Sequence, residues 1–180
     1  MVYCSVGHRG GLATMALNLL GYENAVSLRK GLNGWAAVGG ELVVESTPQV
    51  VMGAFPEVDA NLWTTVDAYL SSLPDGFGAI KADDLNVALA ENPPFLLDVR
   101  EPSEFEAGTI AGAVNAPLRQ LGDILDSLPE DMEAAIVVFD SIGHRGAFAA
   151  EALQMLGFVN TRNLSGGTDA WVAAGFSLGQ

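Results

Sequence analysis

The chain has 180 residues, a length typical of one domain or of one domain with part of another, and 49 % of its residues are hydrophobic. Its 22 acidic residues against 8 basic ones give a formal charge of −14, which disfavours binding to nucleic acid or to an anionic membrane surface. No run approaches the roughly 18 apolar residues of a membrane span, no secretory signal opens the sequence, and a single cysteine excludes an internal disulfide. We therefore expect a cytoplasmic protein, provided that Met1 is the true start.

The first predicted elements are a short strand, MVY, the loop CSVGHRGG, and a helix over GGLATMALNLL. Such a loop is an anion site, because its amides converge and the helix N-terminus carries partial positive charge. The loop holds Cys4, and the helix start and the cationic neighbours His8 and Arg9 should lower its thiol pKa from the free value of roughly 8.5. We interpret Cys4 as a reactive nucleophile. The alternative is a buried cysteine that only fills space.

A strand near AVSL and a helix around the next tryptophan complete the first segment, residues 1–45. The linker that follows, residues 46–76, opens with Pro48 and Pro56. Within it, residues 59–73 place apolar side chains on one helical face, which predicts a helix packed between two units. The apolar positions are Leu62, Val66, Tyr69, Leu70 and Leu73.

A complete unit follows, from about Phe77 to the end of the chain. Its strands alternate with helices, which predicts a parallel α/β sheet. The predicted strands are FLLDV (95–99), GAVNAP (112–117), AAIVVF (134–139) and a segment near TRNL (161–164). The predicted helices are EPSEFEAG (101–108), LRQLGDILDSL (118–128), GAFAAEALQML (146–156) and TDAWVAAG (168–175). The first has Pro102 in its first turn and Gly108 at its end, the second has leucines at helical intervals, and the last has Thr168 as its N-cap.

The second unit repeats the loop of the first. CSVGHRG returns 136 positions later as DSIGHRG, so that Asp140 stands where the first copy has Cys4, and the offset holds through the last helix. A duplicated structural unit is the economical explanation. The first copy has no counterpart of residues 77–137, and half of a parallel sheet rarely folds unaided. We therefore expect residues 1–45 to self-associate or to stay mobile.

Three motifs in this order resemble the rhodanese family, the thiosulfate and related sulfurtransferases. They are Cys-x-x-Gly-x-Arg ending at Arg9, Asp98-Val99-Arg100 within DVREPSEFEAGTIAGAVNAPL, and Gly166-Gly167-x-x-x-Trp171 within LSGGTDAWVAAG. The resemblance covers residues 77–180 and, as a C-terminal half, residues 1–45. It implies a five-stranded parallel sheet flanked by helices. The first copy departs from the glycine pair with Lys30-Gly31, and Thr109 stands where the family usually has histidine, a change that we expect to affect packing.

The resemblance also implies a mechanism. The Cys4 thiolate would attack the outer sulfur of thiosulfate or another sulfane donor, and the resulting persulfide would pass its sulfur to cyanide, a thiol or a protein acceptor. Arg9, with His8, would orient the anionic donor, and no metal or cofactor would take part. The amides expected to cradle the sulfur, and so to bind substrate, are those of Ser5, Val6, Gly7, His8 and Arg9.

The second unit, by the same resemblance, is expected to be catalytically inactive. Tandem rhodaneses often pair one catalytic domain with one inactive domain, and the carboxylate of Asp140 cannot carry sulfane sulfur. Its charge is expected to fill the anion cradle of its own loop. That equivalent loop consists of Asp140, Ser141, Ile142, Gly143, His144 and Arg145.

Two other functions are open at this point. A non-catalytic rhodanese-like binding or regulatory module would need only the second unit. A small phosphatase of similar fold is disfavoured, because the related phosphatases and arsenate reductases carry one more residue between cysteine and arginine than this chain has between Cys4 and Arg9. The incomplete first segment limits sulfur transfer, so we expect a sulfurtransferase that is active through Cys4 where its domain is complete.

Overall fold

A computed structural model describes residues 1–43 and 56–179 of the chain, which divides into two compact units, residues 1–71 and 72–180. Pro48 and most of the opening of the predicted linker lie outside the described residues. None of the helices in the described ranges is long and apolar enough to cross a membrane.

The described residues of the first unit, 1–43 and 56–71, form a parallel bridge and three helices. Val2 and Ser27 form the bridge, and the Val2 amide donates a hydrogen bond of 2.7 Å to the carbonyl of Val26. The strands predicted around these residues are therefore reduced to a single bridge. The helices are α1 (His8–Leu19), α2 (Gly31–Ala37) and α3 (Ala60–Ser72).

Helix α3 lies within one residue of its predicted ends, but its apolar face is only partly buried. Val66 is the buried residue of this helix, at 2 % exposure, whereas Leu70 is 39 % exposed. Its start is capped by Asp59, whose carboxylate accepts hydrogen bonds from the amides of Asn61 and Leu62 at 2.9 and 3.1 Å.

The second unit is built on a five-stranded parallel sheet flanked by helices, and the predicted fold class is confirmed. Its strands are β1 (Ala79–Ile80), β2 (Phe95–Asp98), β3 (Val114–Asn115), β4 (Ile136–Phe139) and β5 (Thr161–Leu164), in the spatial order β1-β5-β4-β2-β3. All their pairings are parallel. The central strand β4 is buried at every position, since elements cover both faces of the sheet.

Four α-helices and a 3-10 helix surround this sheet. They are α4 (Ala82–Glu91), α5 (Pro102–Glu106), the 3-10 helix (Leu118–Ser127), α6 (Arg145–Met155) and α7 (Gly167–Ala173). Because side chains alternate along a strand, the sheet buries two clusters on its opposite faces. Leu97 and Val138 belong to the cluster that includes Leu121 of the 3-10 helix, whereas Leu96 and Phe139 belong to the cluster that includes Trp171 of α7.

Two sequence predictions need correction here, and two elements were not predicted. The segment 118–128 has its leucines on the core side but forms a 3-10 helix rather than an α-helix. Thr168 is not an N-cap but lies inside α7, because Gly166 adopts the left-handed conformation, at φ 74°, from which that helix starts. The pair β1 and α4 was not predicted, since two residues of strand leave almost no periodic signal.

The second unit also buries the carboxyl group of Glu151. Glu151 on α6 is 0 % exposed, and neither of its side-chain oxygens has a hydrogen-bond partner among the described residues. Burial raises the pKa of Glu151 to about 8, because removal from water disfavours the charged form. The carboxyl group is therefore neutral at pH 7 in the folded protein.

Candidate active site

The loop of the first unit holds its sulfur atom against backbone amides. The amide of Gly7 donates a hydrogen bond of 3.1 Å to Sγ of Cys4. Gly7 has a φ of 103°, in the left-handed region that favours glycine, and this turn directs the chain into α1. The sulfur therefore lies at the start of a helix, where convergent N–H groups stabilise negative charge.

These contacts change the acidity of the thiol. Burial raises the pKa of Cys4, but hydrogen bonds from the amides of Gly10, Gly7, Val6 and Arg9 lower it, and the net result is a lowered pKa. Amides stabilise the thiolate because they donate to the charged form. The sequence predicted three of these four amides, and the amide of Gly10 was not among them.

Gly10 occupies a tightly packed position beside the sulfur. A Cβ atom there would lie 3.0 Å from Oγ of Ser27 and 3.4 Å from Cα of Tyr3. The close approach brings the first turn of α1 against the segment Met1–Tyr3 that precedes the loop. The signal for Gly10 was present in the sequence, because it is matched by Gly146 in the second copy of the loop.

A second glycine supports the loop from behind. Gly31 begins α2 at a φ of 56°, and a Cβ atom there would clash with the carbonyl of Cys4 and with the backbone of Ser5. The close packing lets the amides of Leu32 and Asn33 donate to the carbonyls of Cys4 and Ser5 at 2.9 and 3.0 Å. The carbonyl groups of the loop are thus held by α2, while its amides stay directed toward the sulfur.

The other predicted site residues differ in exposure. Arg9 is exposed on the first turn of α1, as are Ser5 and Val6 in the loop, whereas the side chain of His8 is buried at 8 % exposure. A donor that reaches the loop from solvent therefore meets Arg9 before it meets His8.

The loop of the second unit has the same architecture with a carboxylate in place of the sulfur. The amide of Gly146 donates to Oδ1 of Asp140 at 3.2 Å, and the amide of Ile142 donates to Oδ2 at 3.4 Å. Asp140 is 1 % exposed, and Nε of Arg145 lies 3.6 Å from its Oδ2. The carboxylate thus accepts hydrogen bonds from the amides of its own loop.

The match between the two loops extends to their support. Gly143, with a φ of 79°, and Gly167, with a φ of 57°, stand where the first unit has Gly7 and Gly31. The amide of Thr168 donates to the carbonyl of Asp140 at 2.8 Å, as Leu32 does to Cys4, and the amide of Asp169 donates to Ser141 at 2.9 Å, as Asn33 does to Ser5.

The second loop is also closed by an acidic residue that the sequence analysis missed. Glu104 on α5 forms a bidentate ion pair with Arg145, at 2.7 and 2.8 Å, and accepts a hydrogen bond of 2.9 Å from Oγ of Ser141. The hydrogen bond from Arg145 holds the pKa of Glu104 well below its ordinary value, at about 2. The capping box of Glu101 and Glu104 at the start of α5 was the available signal.

The Asp98-Val99-Arg100 motif is structural in this chain. The buried Asp98 and Arg100 form an ion pair of 2.7 Å, and the carboxylate also accepts a hydrogen bond of 2.8 Å from the hydroxyl of Thr109. Thr109 is 4 % exposed, and its amide donates to the carbonyl of Gly179. This residue, which departs from the family pattern, therefore closes a buried polar network.

The match to a known protein family lies in the second unit and does not include Cys4. The family described as Rhodanese-like domain matches residues 81–174. The human thiosulfate:glutathione sulfurtransferase is 30 % identical over 109 residues, which cover 54 % of this chain and 95 % of that protein.

Two solved structures share the fold. A rhodanese-related protein from Thermoplasma volcanium is similar with a TM-score of 0.51 and 33 % identity, over 56 % of this chain and 96 % of that one. A human single-domain sulfurtransferase is similar with a TM-score of 0.50 and 30 % identity, over 53 % of this chain and 96 % of that one.

Proposed function

Because the chain belongs to the rhodanese-like domain family, we propose that it is a sulfurtransferase that moves sulfane sulfur through a persulfide on Cys4. The observation that carries the proposal is the hydrogen bond of 3.1 Å from the Gly7 amide to the sulfur of Cys4, in a loop that lowers the pKa of the thiol. A lowered pKa increases the fraction of Cys4 that is present as the nucleophilic thiolate at a given pH. The sulfurtransferase activity in the names of the human relatives supports the same reaction class.

The proposed reaction has two steps. The thiolate of Cys4 attacks the outer sulfur of thiosulfate, a sulfur–sulfur bond forms to the protein, the bond within thiosulfate breaks, and sulfite leaves with the electron pair. Cyanide, a thiol or a protein acceptor then attacks the outer sulfur of the persulfide and regenerates the thiolate. The terminal sulfur is anionic in the persulfide, so the amides that stabilise the thiolate suit this intermediate as well.

Arg9 is the residue we assign to the anionic donor. The exposure of Arg9 at the loop supports this assignment, because an anion from solvent can reach it. The bidentate ion pair of Arg145, the matching arginine of the second loop, with the Glu104 carboxylate supports it further. His8 is assigned to the packing of the loop, since its side chain is buried.

We further propose that the second unit, residues 77–180 in the proposed division of the chain, does not take part in sulfur transfer. Asp140 offers no sulfur atom, and its carboxylate already accepts the amides that would bind an anion. In this division residues 1–45 are the C-terminal half of a catalytic domain and residues 46–76 are a linker. The same observation favours a second function for the complete unit, that of a non-catalytic binding module.

Thiocyanate formation from thiosulfate and cyanide tests the proposal. The wild-type chain should form thiocyanate, Cys4→Ser should reduce the rate to that of the uncatalysed reaction, and the isosteric change Asp140→Asn should leave it within about twofold of wild type. A rate that survives Cys4→Ser, or one that depends on Asp140, would contradict the assignment.

A further inference from the structure

The two copies of the loop differ in the positive charge that surrounds them. The lysine and arginine residues within residues 1–71 all stand in the first loop or in the turn behind it, and they are Arg9, Arg29 and Lys30. In the second unit, Ser165 and Gly166 occupy the positions that match Arg29 and Lys30, and neither carries a charge. The loop that holds the thiol is therefore the more cationic copy, in a chain whose net charge is −14.

Lys30 stands in a backbone conformation that favours glycine. Its φ is 60°, in the left-handed region, and the matching Gly166 has a φ of 74°. A side chain at such a position costs free energy that glycine avoids. The two copies thus share one backbone conformation at this position, and only the copy with the thiol places a charged side chain on it.

The first unit also differs at the position that makes room for this side chain. Gly34 lies one turn of α2 after Lys30, and a Cβ atom at Gly34 would lie only 2.6 Å from Cβ of Lys30. In the second unit Ala170 stands where the first has Gly34, and a Cβ atom at Gly166 would lie only 2.7 Å from Cβ of Ala170. Each copy therefore holds one side chain at these two positions, and the first copy gives the space to lysine.

The turn that carries Lys30 packs directly against the loop. Gly7, whose amide donates to Sγ of Cys4 at 3.1 Å, is the residue at this contact. A Cβ atom at Gly7 would lie 3.3 Å from the amide nitrogen of Lys30 and 3.6 Å from its Cα. Because Lys30 is exposed, its charge acts on anions that approach this part of the molecule from solvent.

We propose that Lys30 is a specificity residue of the Cys4 site and biases it toward sulfur donors that carry two negative charges. The inference rests on the proposed function, in which Arg9 meets the donor at the loop, and it adds a second cation from the turn behind the loop. Thiosulfate is such a dianion. Methanethiosulfonate offers the same outer sulfur with one negative charge, since a methyl group replaces one oxygen. Attraction to a fixed cation grows with the charge of the anion, so Lys30 favours thiosulfate of the two.

Alkylation of Cys4 tests the added cation without any sulfur transfer. Iodoacetate and iodoacetamide alkylate a thiolate by the same displacement of iodide, but the first reagent is an anion and the second is neutral. Because Cys4 is the only thiol, the ratio of the two rates reports the charge that a reagent meets there. Lys30→Met should lower the ratio of the iodoacetate rate to the iodoacetamide rate by about threefold at low ionic strength. Lys30→Arg, which keeps the charge, should retain the ratio of wild type.

Lys81→Met is the matched control, because it removes the same charge from an exposed lysine that precedes α4 in the second unit. It should leave the ratio as in wild type. An unchanged ratio in Lys30→Met, or an equal fall in Lys81→Met, would overturn the proposal. A fall that Lys30→Arg shares would overturn it as well, since shape rather than charge would then be the cause.

The packing of Lys30 against Gly34 is tested by hydrogen exchange in α2. Gly34→Ala alone should speed exchange there, because the new Cβ would crowd the lysine side chain. Lys30→Gly combined with Gly34→Ala copies the turn of the second unit and should restore the protection of wild type, while it lowers the alkylation ratio as Lys30→Met does. A double variant that exchanges as fast as Gly34→Ala would overturn the claim that the first unit makes room for the lysine.

The donor preference itself is measured as kcat/KM for thiosulfate and for methanethiosulfonate, with cyanide as the acceptor. Lys30→Met should reduce the value for thiosulfate about threefold more than the value for methanethiosulfonate, and equal reductions would overturn the preference. A chain that transfers no sulfur but shows the lowered alkylation ratio would contradict the proposed function and would support Lys30 as the residue that selects anions at Cys4. A chain that transfers sulfur with a ratio unaffected by Lys30→Met would contradict this inference alone.

Discussion

The sulfur of Cys4 and the carboxylate of Asp140 accept hydrogen bonds from the same amide of two copies of one loop. The amide of Gly10 lowers the pKa of the Cys4 thiol, and 136 positions later the amide of Gly146 donates to Asp140 at 3.2 Å. Both groups can be anionic, so the cradle is occupied in each unit. The shared cradle is consistent with a loop that is preserved in both copies. Only the sulfur can accept and release a sulfane atom, so the proposed chemistry belongs to the first copy alone.

Gly10 is the first place to test the cradle. Gly10→Ala should raise the pKa of Cys4, because the new Cβ would crowd Ser27 and Tyr3 and would move the amide away from the sulfur. The rate of alkylation of the only thiol, measured against pH, reports this pKa. Gly122→Ala is the control, since a Cβ there meets nothing within 4 Å. An unchanged titration in Gly10→Ala would show that this amide does not stabilise the thiolate.

The second loop should regain chemistry when it is given a sulfur atom. Asp140→Cys, made in a Cys4→Ser background so that one thiol exists, should form a persulfide from thiosulfate and release thiocyanate on addition of cyanide. The amides of Ile142 and Gly146 should lower the pKa of the new thiol, as their counterparts do in the first loop. A folded double variant whose thiol titrates at the free value and takes up no sulfur would show that the second loop is purely structural.

Glu151 should give the protein a stability that falls with rising pH. Its folded pKa of about 8 exceeds the ordinary value of 4.5, so the folded state holds a proton that the unfolded state releases between these values. The stabilisation is complete below about pH 4.5 and is lost as the pH rises through about 8, at up to about 1.4 kcal/mol per pH unit. Urea unfolding of wild type and Glu151→Gln across this range isolates the effect, because other groups titrate in both. A difference between the two proteins that does not change with pH would contradict it.

The two copies should differ in protection from hydrogen exchange. Among the described residues, Tyr22 is 37 % exposed where the matching Phe158 is 6 % exposed, so residues 11–43 are less covered than the matching residues 147–179. We expect faster exchange in the first range, measured on the monomeric full chain, since poorly covered elements open locally at low cost. Equal and strong protection of both ranges would mean that other parts of the chain cover the first unit.

The sequence predicted the sheet of the second unit well, because its buried strands are short apolar runs bounded by turn residues. FLLD and IVVF form β2 and β4 within one or two residues of their predicted ends. Spacing alone was not sufficient for the segment 118–128. It indicated which leucines face the core, but the hydrogen-bonding pattern, which spacing does not reveal, makes the segment a 3-10 helix rather than an α-helix. The cap of α7 was also mispredicted, because the left-handed backbone of Gly166 starts that helix before Thr168.

The site was predictable as far as the repeated loop extends. Cys4 and the amides that follow it belong to one contiguous motif, and the second copy pointed to the same positions. The capping box marked Glu104 at the start of α5, but its pairing with Arg145 was out of reach, because the two residues are 41 positions apart and only the fold brings α5 to the loop. The hydrogen bond from the hydroxyl of Thr109 to Asp98 was equally out of reach, because the fold alone brings these two residues together.

The central claim is that Cys4 carries the transferred sulfur, and the intact mass of the full chain after exposure to thiosulfate tests it most directly. The account predicts that wild type gains the mass of one sulfur atom, that cyanide removes it, and that Cys4→Ser gains nothing. An adduct of the same mass in Cys4→Ser, or a wild-type protein whose alkylatable Cys4 takes up no sulfur from thiosulfate, would contradict it.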